Sequence, residues 1–133
     1  REAGGFWLFE PREAHRDTAG LVIFFPGFGC YNSMIYGQWV RHLVLKGHVV
    51  VMPRYQEALL KPRSKAFFQT AASGIRRALE HLKQNSEVPI YYDRPVLIGH
   101  SYGATLAAQC AMEWEACGLQ APVGLMVCQM GVN

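Results

Sequence analysis

Gly20-Leu21-Val22-Ile23-Phe24-Phe25 is a run of strand length with no polar side chain at any position. A strand with one face in water alternates apolar and polar residues, so a run that is apolar throughout needs cover on both faces. His48-Val49-Val50-Val51-Met52, Pro95-Val96-Leu97-Ile98 and Val123-Gly124-Leu125-Met126-Val127-Cys128 are further strands, and Phe6-Trp7-Leu8-Phe9 is a short one ended by Pro11. Helical patterns lie between them. Met34–Lys46 places Ile35, Trp39 and Leu43 four residues apart, with a cap at Asn32 or Ser33 and a stop at Gly47. About Ser64–Gln84 lines up Phe68, Ala71, Ala72, Ile75, Leu79 and Leu82 on one face. Asn85–Arg94, around Pro89, reads as a loop, and a third helix runs from Ala104 until Gly118 ends it. Apolar strands alternating with helices predict an α/β fold, a mostly parallel sheet with helices on both faces.

The 133 residues suffice for one domain with its own core and show no internal boundary. Half of them are apolar and 17% charged, which excludes a disordered chain. The net charge is +3, and the basic cluster of Lys61, Arg63, Lys65, Arg76 and Arg77 lacks the interleaved aromatics of a nucleic-acid groove. A solvated helix face explains it, so no nucleic-acid partner is expected. No apolar run reaches membrane-spanning length. Cys30, Cys110, Cys117 and Cys128 form no Cys-x-x-Cys pair. On one continuous helix Cys110 and Cys117 stand about 10 Å apart, too far to bridge, so four free thiols are expected. Free thiols favour a reducing compartment, with a leader removed before Arg1 left open. Nothing in the residues asks for a metal or a cofactor.

Two turn clusters carry the chemistry. Gly99-His100-Ser101-Tyr102-Gly103 stands between a strand and a helix and fits the Gly-x-Ser-x-Gly nucleophile elbow. The apex residue of so sharp a turn is pushed to positive φ, and side chains two positions either side would collide across it. Glycines are therefore needed at Gly99 and Gly103. The bland alternative is a strand-to-helix connection with an incidental serine. The second cluster, Pro26-Gly27-Phe28-Gly29, breaks the chain straight after the first long strand.

With Phe25-Pro26-Gly27-Phe28-Gly29 after one strand and Gly99-His100-Ser101-Tyr102-Gly103 after a later one, the chain resembles the α/β-hydrolase superfamily. Within it, residues 6–130 look most like the esterase branch of dienelactone hydrolases, platelet-activating-factor acetylhydrolases and cutinase-like polyester hydrolases. The resemblance implies that the strand ending at Phe25 lies between those of His48–Met52 and Pro95–Ile98, bringing both clusters to one topological switch point. It implies Ser101 as the nucleophile of an acyl-enzyme mechanism, with the backbone N–H groups of Phe28 and Tyr102 as oxyanion hole. Tyr31 and Tyr55, with the rings of Phe28 and Tyr102, are candidates for lining an acyl pocket. Arg54 could meet a substrate carboxylate, a surface ion pair being the plainer reading. The implied substrate is a small-molecule or lipid-like carboxylic ester. The alternative is a non-catalytic module of the same fold, serving as a binding or assembly partner.

A serine nucleophile needs a histidine base oriented by a carboxylate, and in this superfamily both follow the serine. After Ser101 the chain has no histidine and no aspartate. Glu113 and Glu115 belong to the helix leaving the turn, and His100 belongs to the turn itself. His15, His42, His48 and His81 precede the serine, and Asp17 and Asp93 fall at the opposite ends of their strands. The expectation is thus the N-terminal portion of a single hydrolase domain, incomplete on its C-terminal side. The base and acid would come from a further segment or a second chain, and the 133 residues alone would be inactive or weak.

Overall fold

The computed structural model describes residues 4–12, 17–30, 32–56 and 66–128. Five strands, β1 (Phe6–Phe9), β2 (Ala19–Phe25), β3 (His48–Pro53), β4 (Ile90–His100) and β5 (Gly124–Cys128), form one sheet in the order β1-β3-β2-β4-β5. β1 runs antiparallel to β3, and every other pairing is parallel. The apolar runs behave as their patterning requires. Leu21, Ile23 and Phe25 face a core built with helices α2 (Phe67–Asn85) and α3 (Tyr102–Met112). Val22 and Phe24 face the other side, where α1 (Gly37–Leu45) lies.

The expected start of the second helix at Ser64 lies outside the described residues, and among those described three boundaries differ from the sequence expectation. The first helix begins as a 3-10 turn over Ser33–Tyr36, its start capped by the Asn32 side chain, which accepts from the Met34 N–H at 3.0 Å. A 3-10 turn has three residues per turn, so the apolar stripe shifts phase. Ile35 is thereby 68% exposed, while Tyr36, Trp39, Val40, Leu43 and Val44 pack on the sheet. Residues 90–94, read as loop, belong to β4. Gly20 pairs with Tyr91 and Val22 with Val96, so a bulge over Tyr92–Pro95 faces Leu21 and absorbs Pro95, which has no N–H to give a ladder. The third helix stops at Met112 rather than Gly118. Glu113 leaves helical geometry at φ −117°, ψ 39°, and a second 3-10 turn over Trp114–Cys117 ends at Gly118 with φ 72°. That break overturns the spacing argument for Cys110 and Cys117, whose sulfur atoms lie 2.9 Å apart.

Gly47 ends α1 at φ +87° with nothing within 4 Å of where a side chain would begin. Its replacement by alanine is a test of conformation alone. A destabilisation of about 1–2 kcal/mol is expected in urea unfolding, the cost of a left-handed L-residue. Replacement by asparagine should cost less.

Candidate active site

The parallel pairing of β2 with β4 ends with Phe25 opposite Gly99, which sets the two turn clusters side by side. β2 connects to β3 on one side, and the chain returns to β4 on the other, so this is the switch point of the sheet. Ser101 sits at φ 56°, ψ −126° and is the only described non-glycine residue at positive φ. Two main-chain bonds hold it there. Its N–H donates to Cys128 O at 2.7 Å, and its carbonyl accepts from the Ala104 N–H at 2.9 Å.

The glycines around it are required by packing. A Cβ on Gly99 would stand 2.4 Å from Gly103 O, and one on Gly103 would stand 2.1 Å from Phe25 O and 2.5 Å from Pro26 O. α3 thus starts hard against the end of β2. A Cβ on Gly27 would come within 3.3 Å of Ser101 Cβ and 3.1 Å of Tyr36 Oη. The Pro26–Gly29 loop and Ser101 are therefore immediate neighbours. Among the described residues, no group hydrogen-bonds the Ser101 hydroxyl.

The loop is pinned at three places. The Tyr55 hydroxyl donates to Pro26 O at 2.8 Å. Gly29 N–H donates to Gln56 Oε1 at 2.7 Å, from a side chain that is 7% exposed. Gly27 N–H donates to Tyr36 Oη at 2.8 Å, and the same hydroxyl lies 2.7 Å from His100 Nδ1. In the tautomer of His100 that carries its proton on Nε2, the phenol that accepts from Gly27 gives its own proton to Nδ1. One hydroxyl thereby ties the loop to the residue before Ser101. Tyr36 and Gln56 went unread in the sequence, because their partners lie 64 and 27 residues away. Burial pushes the Tyr36 phenol up, the charge of Cys30 adds to this, and the Gly27 N–H works against it. A raised phenol contributes stability that is complete below its unfolded pKa and is lost as pH rises through the folded one. Tyr36→Phe leaves the buried Gly27 N–H without its acceptor and should cost about 1–3 kcal/mol in denaturant unfolding. It should also flatten the alkaline limb of the stability profile.

Phe28, Tyr102, Phe67 and Tyr55 form a ring cluster beside the loop, with Phe28 to Tyr102 centroids 6.4 Å apart and Tyr55 to Phe67 5.3 Å. Phe28 is 39% exposed, whereas Tyr55 is 4% exposed and stands behind the loop in the core. Tyr31 lies outside the described residues. Arg54 meets no carboxylate among them; its guanidinium stacks over Trp7, 5.0 Å from the ring centroid.

No protein-family model matches the chain, and neither does any curated protein sequence. Solved structures do. One of two fungal esterases from Rhizomucor miehei superposes with a TM-score of 0.71 at 16% identity, over 92% of this chain and 38% of that one. The chain has the α/β-hydrolase fold. A bacterial heroin esterase gives 0.69 at 15% identity, over 90% of this chain and 37% of that one. Esterase B from Lactobacillus rhamnosis, solved with a tributyrin phosphonate inhibitor, gives 0.64 at 18%, over 92% and 42%. The chain therefore spans about two fifths of the length of these α/β-hydrolase structures.

Within this α/β-hydrolase fold the other histidines, aspartates and Glu113 that the sequence offered as base or acid lie on elements away from the Ser101 turn, where they are described. His48 begins β3 at the opposite end of the sheet, and His42 and His81 are exposed on α1 and α2. Asp17 precedes β2, Asp93 is exposed on the bulge of β4, and Glu113 is exposed beyond α3. His15 lies outside the described residues. Among the described residues no three His, Cys, Asp or Glu side chains gather as a metal site, and no helix is long and apolar enough to cross a membrane. Nor does any described strand pair with the outer edge of β5, where Leu125, Met126 and Val127 are 46%, 51% and 51% exposed.

Proposed function

We propose that this chain is the nucleophile-bearing portion of a serine esterase that acts on carboxylic esters through an acyl-enzyme. The observation that carries this reading is Ser101 held at φ 56° on the strand-to-helix turn, with the Gly27 loop against it. A non-glycine residue strained at the apex of the turn is otherwise a cost without return. In the proposed mechanism Ser101 Oγ attacks the ester carbonyl carbon. The backbone N–H groups of Tyr102 and Phe28 then receive the oxyanion, each such donor being worth about 3–4 kcal/mol in the transition state. Collapse expels the alcohol, and water releases the acid from Ser101. The partly exposed Phe28 ring and Tyr102 would wall the acyl group.

The histidine base and its carboxylate come, on this reading, from residues outside this chain. Support comes from the placement of every described histidine except His100 away from the turn, the edge of β5 that no described strand covers, and the length of the fold neighbours. A strand added beside β5 would cover its apolar residues and continue the sheet past the site. The test compares a longer polypeptide containing this chain with residues 1–133 alone, on an activated short-chain ester such as p-nitrophenyl butyrate. The longer form should turn over, and the short one should be slower by roughly 10²–10⁴-fold, the usual worth of general-base assistance. Equal rates would overturn the outside base. An inert longer form would overturn the esterase and favour the non-catalytic module.

A further inference from the structure

Cys110 and Cys117 are both fully buried, and the break at Glu113 folds the chain back so that their sulfur atoms stand 2.9 Å apart. A disulfide bond measures about 2.05 Å, so closure asks for less than about 1 Å of movement. The two residues leave different elements, the last full turn of α3 and the 3-10 turn beyond it, so neither helix has to unwind to bring them together. We propose that Cys110 and Cys117 are a disulfide-forming pair, a redox modification site on the far end of the helix that starts at Ser101. The proposal is independent of the esterase reading.

The oxidant is a small-molecule disulfide such as oxidised glutathione. Cys117 thiolate attacks one of its sulfur atoms, forming a mixed disulfide and expelling one glutathione thiolate, which takes up a proton. Cys110 then loses its proton and attacks Cys117 Sγ, expelling the second glutathione thiol. Two protein thiols are oxidised, and one disulfide is reduced to two thiols. The order of attack follows from the surroundings. The Cys117 thiol is lowered by the hydrogen bond from Cys110 and by the charge of Arg76, while that hydrogen bond and burial push Cys110 up. Since both sulfur atoms are buried, exchange runs while the Glu113 segment is open. Once closed, the bond ties α3 to a turn that is itself anchored on α2, where the Arg76 guanidinium donates to Ala116 O.

The protein is equilibrated with oxidised glutathione, unfolded in denaturant and treated with N-ethylmaleimide before any reductant. Cys30 and Cys128 should react, and Cys110 and Cys117 should not. Cleavage after Glu113 and Glu115 should leave their two peptides joined and lighter by two hydrogens. Reduction should lower Tm by about 5 °C or more, a shift absent in Cys110→Ser. Should Cys110→Ser not fold, the peptide mapping of the unaltered protein still decides. Complete alkylation of both residues without reductant, or a linkage to Cys30 or Cys128, would overturn the proposal.

Discussion

Ser101→Ala is expected to abolish ester hydrolysis in the longer polypeptide, by roughly 10⁴–10⁶-fold, the scale on which removal of a nucleophile acts in enzymes of this chemistry. A fluorophosphonate probe should bond covalently to Ser101 Oγ in the unaltered protein and leave the alanine variant unlabelled. The turn itself should survive. Both serine and alanine carry a Cβ at φ 56°, and the main-chain bonds to Cys128 and Ala104 do not involve the hydroxyl. Ser101→Gly separates strain from chemistry: it should be equally inactive yet more stable, by about 1–2 kcal/mol, because glycine takes positive φ without penalty. A labelled Ser101→Ala variant would remove Ser101 from the mechanism.

The second large effect falls on folding. Gly103→Ala would place a methyl group 2.1 Å from Phe25 O and 2.5 Å from Pro26 O, both main-chain atoms at the end of the central strand. Relief requires lifting α3 off β2. Overpacking costs typically 1–3 kcal/mol, and a clash with backbone on both sides should cost about 3 kcal/mol or more. A domain holds only about 5–15 kcal/mol in all, so the loss takes a large share of its stability and should lower Tm by about 10 °C or more. Gly27→Ala, whose nearest contacts are 3.1 and 3.3 Å, makes a graded comparison. It should fold and yet crowd Ser101. Circular dichroism melts of the two variants measure the difference, and a Gly103→Ala protein as stable as Gly27→Ala would contradict the packing described.

The strands could be read from the chain because burial on both faces leaves no ambiguity in Leu21–Phe25 or Val49–Met52. The two turn clusters could be read because glycine spacing reports a steric demand directly. What escaped depended on geometry that letters do not carry. A 3-10 turn moved Ile35 out of the core, and a bulge turned residues 90–94 from loop into strand. A break at Glu113 turned two cysteines separated by seven residues into neighbours. Tyr36 and Gln56 look like ordinary residues after a loop. Only the folded sheet brings them under Gly27 and Gly29.

The bulge at Tyr92–Pro95 has a consequence for how this domain tolerates change. In a plain ladder, one inserted residue slips the register and turns every later side chain to the wrong face. Here β2 and β4 are already out of step before Val22 and back in step from Val22–Val96 to Phe25–Gly99. The bulge works as an expansion joint: length can be added or removed there while the end that carries Ser101 stays in place. Inserted residues between Asp93 and Arg94 should therefore leave the Gly99–Gly103 turn intact, whereas a single insertion between Val96 and Leu97 should dismantle it.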